Sequence, residues 1–211
     1  MKILAVEPLA VPDVLVVRFA RFSDDRGYFT EPYRGGDFDA APGLEALKGV
    51  RFVQMNESFS RKGVVRGLHF QWDPPQGKLV RTVQGRMIDL ALDIRKASPT
   101  LGKIVVRDMP RRNGDAEGEW IWLPPGFAHG VVFLEDTTIE YLCTSSWNAG
   151  GESGISPLSA DLDWSLCAEP ARKAVRGILD GRPLLSEKDR QAPSLSAWLS
   201  DPRSDHIRSC Q

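Results

Sequence analysis

The chain has 211 residues, of which 42% are hydrophobic and 26% are charged, and its formal net charge is −1. This length allows one domain with a sizeable core, and the composition is ordinary for a soluble globular protein. A net charge near zero excludes a sequence-wide attraction to nucleic acid or anionic membranes, so an anionic ligand must be held by local arginines and lysines.

The N-terminal stretch MKILAVEPLAVPDVLVV is apolar, but two acidic residues and two prolines interrupt it. We therefore expect no signal peptide, and no run approaches the roughly 18 apolar residues of a membrane span. The cysteines Cys143, Cys167 and Cys210 are few and far apart. That pattern is typical of reduced thiols in a cytosolic protein, so we expect a cytoplasmic location and neither a disulfide frame nor a cysteine zinc site.

Over most of its length the sequence predicts short strands, which are rich in Val, Ile, Phe, Trp or Thr and are separated by Gly, Pro, Asn or Asp. The predicted strands are 14–22, 49–58, 63–71, 78–85, 86–95, 102–109, 119–125, 130–136 and 137–145. Their spacing of about ten residues predicts an all-β sandwich or barrel and not a βαβ fold. Helical signal is confined to places such as 35–49 and a short segment at 168–178, and residues after about 150 form a C-terminal extension.

The predicted strand 86–95 alternates between apolar and charged residues. Its apolar residues share one face, while Asp89, Asp93 and Arg95 share the other. A barrel with a polar interior would direct one such face toward a ligand cavity. The alternative is that the charges face water, which we favour for Asp93 and Arg95.

The stretch VVRGLHFQWDPPQGKLV, residues 64–80, carries more polar chemistry than a structural strand needs. Its histidine, His69, shares a strand face with Gln71 and lies near Arg66 and Lys78. An imidazole there is a metal ligand, an acid–base group that titrates near neutral pH, or a structural side chain. Of the other histidines, His206 lies in the polar tail, where we expect it to be exposed or disordered.

The third histidine, His129, closes the stretch GEWIWLPPGFAHG, whose Gly-x5-Pro-x-Gly-x2-His spacing resembles the second signature of the cupin superfamily. Cupins are small jelly-roll-like β-barrels, and Phe133 stands where that signature usually ends in Asn. The first cupin signature normally supplies His-x-His and a Glu, whereas this chain has Gln71 after His69 and no Glu at the expected place. Two histidines without a carboxylate make a poor metal site, so we expect none, although Gln71 could offer a weak carbonyl ligand.

A closer match follows from the stretches RGLHFQ, PPQGKLV, GRMIDLALDIR, SPTLGK, WLPPGFAHG and LLSEKD, with DDRGYFTEPY and FVQMNESFS before them. In this order they resemble the dTDP-4-dehydrorhamnose 3,5-epimerase family, which are metal-free cupins of sugar-nucleotide metabolism. The resemblance covers about residues 4–190, which implies a single domain over 1–211 with a tail at 191–211. It implies a cupin-type jelly-roll barrel with short helices and no cofactor, because the substrate's own 4-keto group acidifies the C–H bonds at C3 and C5.

By the same resemblance, four residues carry the catalysis. His69 is the base, Asp189 orients it, Lys78 stabilises the enolate, and Tyr141 delivers a proton on the opposite face. Each has a structural alternative from its own context. Lys78 could be a surface lysine, Tyr141 a core aromatic residue, and Asp189 the cap of a turn after Ser186.

The resemblance also implies the substrate-binding residues and a homodimer. Arg66 contacts the diphosphate, for which a guanidinium offers paired donors. The segment that a partner subunit contributes to the site contains Arg26, Phe29 and Glu31. The remaining contacts to the nucleotide sugar are assigned to Gln54, Asn56, His129 and Trp147.

Three features depart from the family pattern: Leu142 after the tyrosine, Trp147 in place of a tyrosine, and a longer segment at 168–180. The leading hypothesis is epimerisation of dTDP-4-dehydro-6-deoxy-D-glucose at C3 and C5, and the nearest rival is an epimerase of C3 or C5 alone. A metal-dependent cupin and a catalytically silent sugar-nucleotide binding module are the alternatives from other classes.

Overall fold

Residues 1–207, the part of the chain that this computed structural model describes, contain twelve strands, four α-helices and three short 3₁₀ helices at Glu45–Leu47, Ala149–Gly151 and Pro202–His206. The strands are β1 (Ile3–Pro8), β2 (Leu15–Ala20), β3 (Phe22–Asp24), β4 (Gly27–Phe29), β5 (Gln54–Ser60), β6 (Val65–Gln71), β7 (Lys78–Asp93), β8 (Ile104–Arg111), β9 (Glu117–Leu123), β10 (Phe127–Phe133), β11 (Thr137–Cys143) and β12 (Glu152–Gly154). The helices are α1 (Gly35–Ala40), α2 (Glu169–Leu179), α3 (Glu187–Arg190) and α4 (Leu195–Ser200). The predicted all-β class is confirmed, and the short helix predicted at 168–178 is α2.

The long strand β7 belongs to both halves of the sheet. Its first half pairs with β9 and β11, and its second half pairs with β8 and β10, all antiparallel. One half of the sheet therefore runs β1-β2-β9-β7-β11-β5, and the other runs β8-β7-β10-β6-β12. The sequence predicted two strands here, 78–85 and 86–95, whereas the structure has one strand that passes from one half to the other.

The strand changes direction at Gly85, whose φ is +102°, a value that L side chains rarely adopt. A Cβ at this position would lie 2.5 Å from both the Asp136 carbonyl oxygen and the Thr137 hydroxyl. Only a glycine fits the backbone and the space together, so this residue permits the passage between the two halves.

We expect Gly85→Ala to lower the free energy of unfolding by about 2 kcal/mol or more, from the left-handed backbone and the overlap with Asp136 and Thr137. Urea unfolding followed by circular dichroism measures the loss. Gly114→Ala is the matched control, since nothing lies within 4 Å of its added Cβ. Equal stabilities for the two variants would contradict this account of the bend.

Three hydrophobic clusters fix the layers of the fold. One contains buried residues from both halves of the sheet, such as Val80, Ile121 and Val131, so the two halves pack face to face. A second lies on the outer face of the β9-side half, under the segment that contains α1. The third lies on the outer face of the β10-side half, where the C-terminal segment covers it with Trp198 and Ile207.

The charged residues Asp93 and Arg95 are buried, so the expectation that they face water is wrong. Arg95 donates to both oxygens of Asp93 at 2.8 and 2.6 Å, and Ser98 and Thr100 donate to the same carboxylate. Burial is tolerated because the two charges are paired and the carboxylate is hydrogen-bonded. Asp89, on the same strand face, is also buried.

The structure also shows where the cysteines and His206 lie. Cys143 and Cys167 are buried free thiols, and Cys210 lies outside the described residues. His206 is exposed, as predicted. Within residues 1–207 no helix combines the length and apolar character needed to cross a membrane.

Candidate active site

A cavity of about 460 Å³ lies where both halves of the sheet meet the segment that leads into α3. It brings together residues that are distant in sequence. Those assigned to the site that line it are Arg66, His69, Lys78, His129, Tyr141 and Asp189. The four proposed catalytic side chains therefore share one cavity.

Close approach of β6 and β10 places the two histidines side by side. His69 and His129 are cross-strand partners in this antiparallel pair. A Cβ at Gly67 would lie 2.5 Å from the His129 carbonyl oxygen, and one at Gly130 would lie 2.5 Å from Leu68. The absence of side chains at these two glycines allows the strands to approach, so both imidazoles line the same cavity.

Asp189 holds His69. Its Oδ1 lies 2.5 Å from His69 Nε2, and the carboxylate is almost fully buried. Burial is the largest single effect and raises the pKa of Asp189, but the hydrogen bond and electrostatic attraction of His69, with further hydrogen bonds from Ser186 and Gly67, together outweigh it and keep that pKa below its ordinary value. An ionised carboxylate can only accept, so Nε2 donates and Nδ1 remains as the basic nitrogen.

The alternative for Asp189, that it caps a turn after Ser186, is wrong. Ser186 is itself the cap of α3, since its hydroxyl accepts a hydrogen bond from the Asp189 backbone N–H at 3.1 Å. The cap fixes the short helix, and the Asp189 side chain is left free to reach His69.

Lys78 begins β7 with its side chain directed into the protein, so the surface-lysine alternative is wrong. Its Nζ lies 3.5 Å from the His69 carbonyl oxygen, a long contact for a hydrogen bond. Burial lowers the pKa of Lys78 below its ordinary value, while the nearby Cys143, Glu152 and Asp89 oppose that shift.

Tyr141 lies in the middle of β11, opposite Val80 of β7 and Asn56 of β5. Its ring packs against the cluster between the two halves of the sheet and also lines the cavity, so its core packing is compatible with a place in the site. Burial, followed by the proximity of Cys143, raises the pKa of Tyr141, whereas Arg66 lowers it. The phenol therefore keeps its proton at neutral pH and is suited to donate it.

Of the nucleotide-binding candidates, Arg66 lines the cavity, whereas Gln54, Asn56 and Trp147 form a separate hydrogen-bonded group. Arg66 Nε donates to the Ser60 hydroxyl at 2.9 Å. On β5, Gln54 Nε2 donates to Asn56 Oδ1 at 3.0 Å, and the Trp147 backbone N–H donates to Gln54 Oε1 at 2.9 Å. The Trp147 side chain is 60% exposed, which leaves an aromatic face available.

The residues assigned to a partner subunit lie on and after the β3–β4 hairpin, away from the cavity lining of their own chain. Arg26 forms an ion pair with Asp24, and Glu31 forms one with Arg34. Phe29 is 64% exposed. None of Arg26, Phe29 and Glu31 is among the described residues that line the cavity.

Two acidic residues of the site were missed by the sequence reading. Asp89 contacts His129, with 2.7 Å between Oδ2 and Nε2. Glu152 forms an ion pair with Lys188, with 2.6 Å between Oε1 and Nζ. The alternation of strand 86–95 placed Asp89 on a polar face without a partner, and the three-residue strand β12 carries no pattern from which Glu152 could be found.

The donor groups in the described chain do not fit a metal. Across residues 1–207 there is no group of three His, Cys, Asp or Glu side chains placed to hold an ion. Gln71 is not a weak ligand, because its Nε2 donates to the Pro74 carbonyl and its Oε1 accepts from the Asn148 N–H at 2.8 Å.

Comparison with known proteins matches this chain to one named family over most of its length. The family model described as dTDP-4-dehydrorhamnose 3,5-epimerase matches residues 8–197. A protein of that name from Pseudomonas aeruginosa is 38% identical over 191 residues, which are 89% of this chain and 94% of the relative.

Solved structures agree. The dTDP-6-deoxy-D-glucose-3,5-epimerase of Legionella pneumophila, in complex with dTDP-4-keto-L-rhamnose, is 32% identical, with a TM-score of 0.77 over 98% of each chain. A 3'-monoepimerase from Streptomyces bikiniensis, in complex with dTDP-quinovose, is 25% identical, with a TM-score of 0.72 over 96% of this chain and 98% of the other. These matches confirm the predicted cupin-type fold.

Proposed function

The chain belongs to the dTDP-4-dehydrorhamnose 3,5-epimerase family, and we propose that it converts dTDP-4-dehydro-6-deoxy-D-glucose to dTDP-4-dehydro-L-rhamnose by inverting C3 and C5. The observation that carries the proposal is the meeting of His69, Lys78, Tyr141 and Asp189 in one cavity. The similar Legionella structure contains a sugar nucleotide of this kind, which supports the substrate class.

The chemistry follows from the protonation states. The 4-keto group acidifies the neighbouring C–H bonds, and His69 Nδ1 removes the proton while Asp189 stabilises the imidazolium that forms. The negative charge that moves to the C4 oxygen is held by the Lys78 ammonium. Tyr141 then delivers a proton to the opposite face of the carbon, so the centre is inverted. The ketone is restored as the enolate collapses, and the electrons balance without an oxidant.

The nucleotide part of the substrate is assigned to the nucleotide-binding candidates described above. Arg66 binds the diphosphate, Gln54 and Asn56 contact the nucleoside, and Trp147 offers a stacking face. His129 contacts the sugar or a phosphate from the cavity wall.

A homodimer completes the site, with Arg26, Phe29 and Glu31 supplied by the partner subunit. Two exposed apolar regions support this proposal: the hairpin residues Phe22 and Phe29, and the β5 residues Met55 and Phe59. Contiguous exposed apolar surface of this kind is characteristic of interfaces. We also assign the chain to a single domain in the cytoplasm, where the buried free thiols would stay reduced.

The test is proton NMR of dTDP-4-dehydro-6-deoxy-D-glucose with the protein in deuterated water. Enzyme-dependent deuterium at both C3 and C5, with a reductase trapping the L-rhamnose product, is the expected result. The absence of exchange at either carbon would contradict the proposal.

The second candidate is an epimerase that inverts one carbon only. The similarity to the Streptomyces 3'-monoepimerase and the presence of Trp147 where the family has a tyrosine favour it. Deuterium at C3 alone or C5 alone in the same experiment would establish it, and Trp147→Tyr would then be the first variant to examine.

We expect Arg66→Ala to weaken dTDP binding by about ten- to a hundredfold, the usual loss for a charge-assisted hydrogen bond to a phosphate, with kcat changed much less. Isothermal titration with dTDP measures the affinity. Arg61→Ala removes an exposed arginine five residues away that does not line the cavity, and it should bind normally. Unchanged affinity in Arg66→Ala would refute the phosphate assignment.

A further inference from the structure

The side-chain amide of Gln71 has no part in the proposed chemistry. Gln71 lies on β6 two residues after His69, only 4% of its surface is exposed, and it does not line the cavity. One of its hydrogen bonds, from Nε2 to the Pro74 carbonyl oxygen at 2.9 Å, stays within the turn that follows β6. Buried amides are hydrogen-bonded, so the remaining partners of this one show what it holds in place.

Those partners lie in the segment 144–148, which follows β11 and which we call the Trp147 loop. The amide Nε2 donates to the Ser145 hydroxyl at 3.2 Å and to the Ser146 carbonyl oxygen at 3.1 Å. Its Oε1 accepts from the Asn148 backbone N–H at 2.8 Å. One buried side chain therefore binds the residue before Trp147 and the residue after it.

Hydrogen bonds, and not packing, fix the centre of the Trp147 loop. Ser146 and Trp147 are exposed, and neither belongs to a hydrophobic cluster of the described residues. The Trp147 backbone N–H donates to Gln54 Oε1 at 2.9 Å, and Gln76 Nε2 donates to the Ser145 carbonyl oxygen at 2.8 Å. The path of the backbone at Trp147 is therefore set by glutamine side chains that lie outside the loop.

We propose that Gln71 is a positioning residue for nucleotide binding, which holds the Trp147 loop so that the indole is already in place for the base. An exposed aromatic ring on an unanchored loop would lose conformational freedom when it stacks on a base, and that loss lowers affinity. Because Gln71 fixes the loop in the free protein, this ordering does not oppose binding. The inference rests on the proposed function, in which Trp147 offers a stacking face to the nucleotide.

The first test is a double-mutant cycle on dTDP binding, measured by isothermal titration. Trp147→Ala removes the stacking face and should weaken binding by about five- to a hundredfold, the range of base–aromatic stacking. Gln71→Met keeps the length of the side chain but removes the amide, and should weaken binding by about three- to tenfold, the effect of ordering the loop on binding. The double variant should bind no more weakly than Trp147→Ala alone, because both changes act through one contact. Losses that multiply in the double variant, or an unchanged affinity in Gln71→Met, would refute the proposal.

Two controls separate positioning from a general disturbance of the site. Gln84→Met replaces an exposed glutamine of β7 that does not line the cavity, and it should bind dTDP normally. Inorganic pyrophosphate carries a diphosphate without a base, so its affinity should be the same in Gln71→Met and in the wild type. An equal loss of dTDP and pyrophosphate binding would overturn the proposal. If circular dichroism shows that Gln71→Met is unfolded, Gln71→Asn replaces it, since its shorter amide cannot span both neighbours of Trp147, and the same pattern is expected with a smaller loss.

The second test needs no ligand. ¹⁹F NMR of protein labelled with 5-fluorotryptophan reports on the six tryptophans, and the Trp147 resonance is assigned by its loss in Trp147→Ala. In Gln71→Met this resonance should shift or broaden, while the buried Trp120 and Trp164 keep theirs. An unchanged Trp147 resonance would contradict the positioning role. If the wild type does not bind dTDP, the proposed function fails, while this spectrum still decides whether Gln71 holds the Trp147 loop.

Discussion

Replacing His69 with alanine is expected to lower the rate of deuterium exchange at the sugar by about 10²- to 10⁴-fold, the usual contribution of a positioned general base. The reason is that Nδ1 is the basic nitrogen left free once Nε2 donates to Asp189. Affinity for dTDP should change little, because Arg66, Gln54 and Asn56 are intact. Exchange is measured by NMR in deuterated water, and affinity by calorimetry.

Two further variants make this result decisive. His69→Asn retains a side-chain N–H toward the buried Asp189 but has no basic nitrogen, so it should lose exchange equally while avoiding an unpaired carboxylate. His206→Ala removes an exposed histidine that does not line the cavity, and this variant should exchange normally. Substantial exchange in both His69 variants would remove His69 from the role of base.

Tyr141→Phe should separate proton removal from proton delivery. Burial raises the pKa of Tyr141, so the phenol is protonated in the working range and its loss removes the donor on that face. We expect product formation to fall by about 10²- to 10⁴-fold while deuterium still enters the unchanged substrate, because His69 can return a solvent-derived deuteron to the face from which it took the proton. NMR follows both quantities in one sample.

Tyr33→Phe is the matched control, since Tyr33 is a partly buried tyrosine in the cluster on the outer face of the sheet and does not line the cavity. It should leave both quantities unchanged. If Tyr141→Phe lost exchange and product formation to the same extent, Tyr141 would be needed for proton removal or for binding, and its role as donor would be refuted.

The fold class and most strand positions could be read from the sequence because period-two alternation and turn residues are local signals. Local signals did not predict that 78–93 is one bent strand. The bend depends on Gly85 fitting against Asp136 and Thr137, about fifty residues away along the chain. Asp93 and Arg95 were misplaced for a similar reason, since alternation cannot tell a charge facing water from a charge paired inside the protein.

The residues of the candidate site could be predicted from the sequence, but their contacts could not. His69, Lys78, Tyr141 and Asp189 were named from the order and spacing of family motifs, which the sequence carries by itself. Their meeting in one cavity, the contact of His69 with a carboxylate 120 positions away, and the pairing of Asp89 with His129 are long-range contacts. The sequence alone determined the fold class and the chemical groups available. Only the tertiary structure decided which groups meet and which nitrogen of His69 stays basic, because protonation depends on burial and through-space partners that no local pattern encodes.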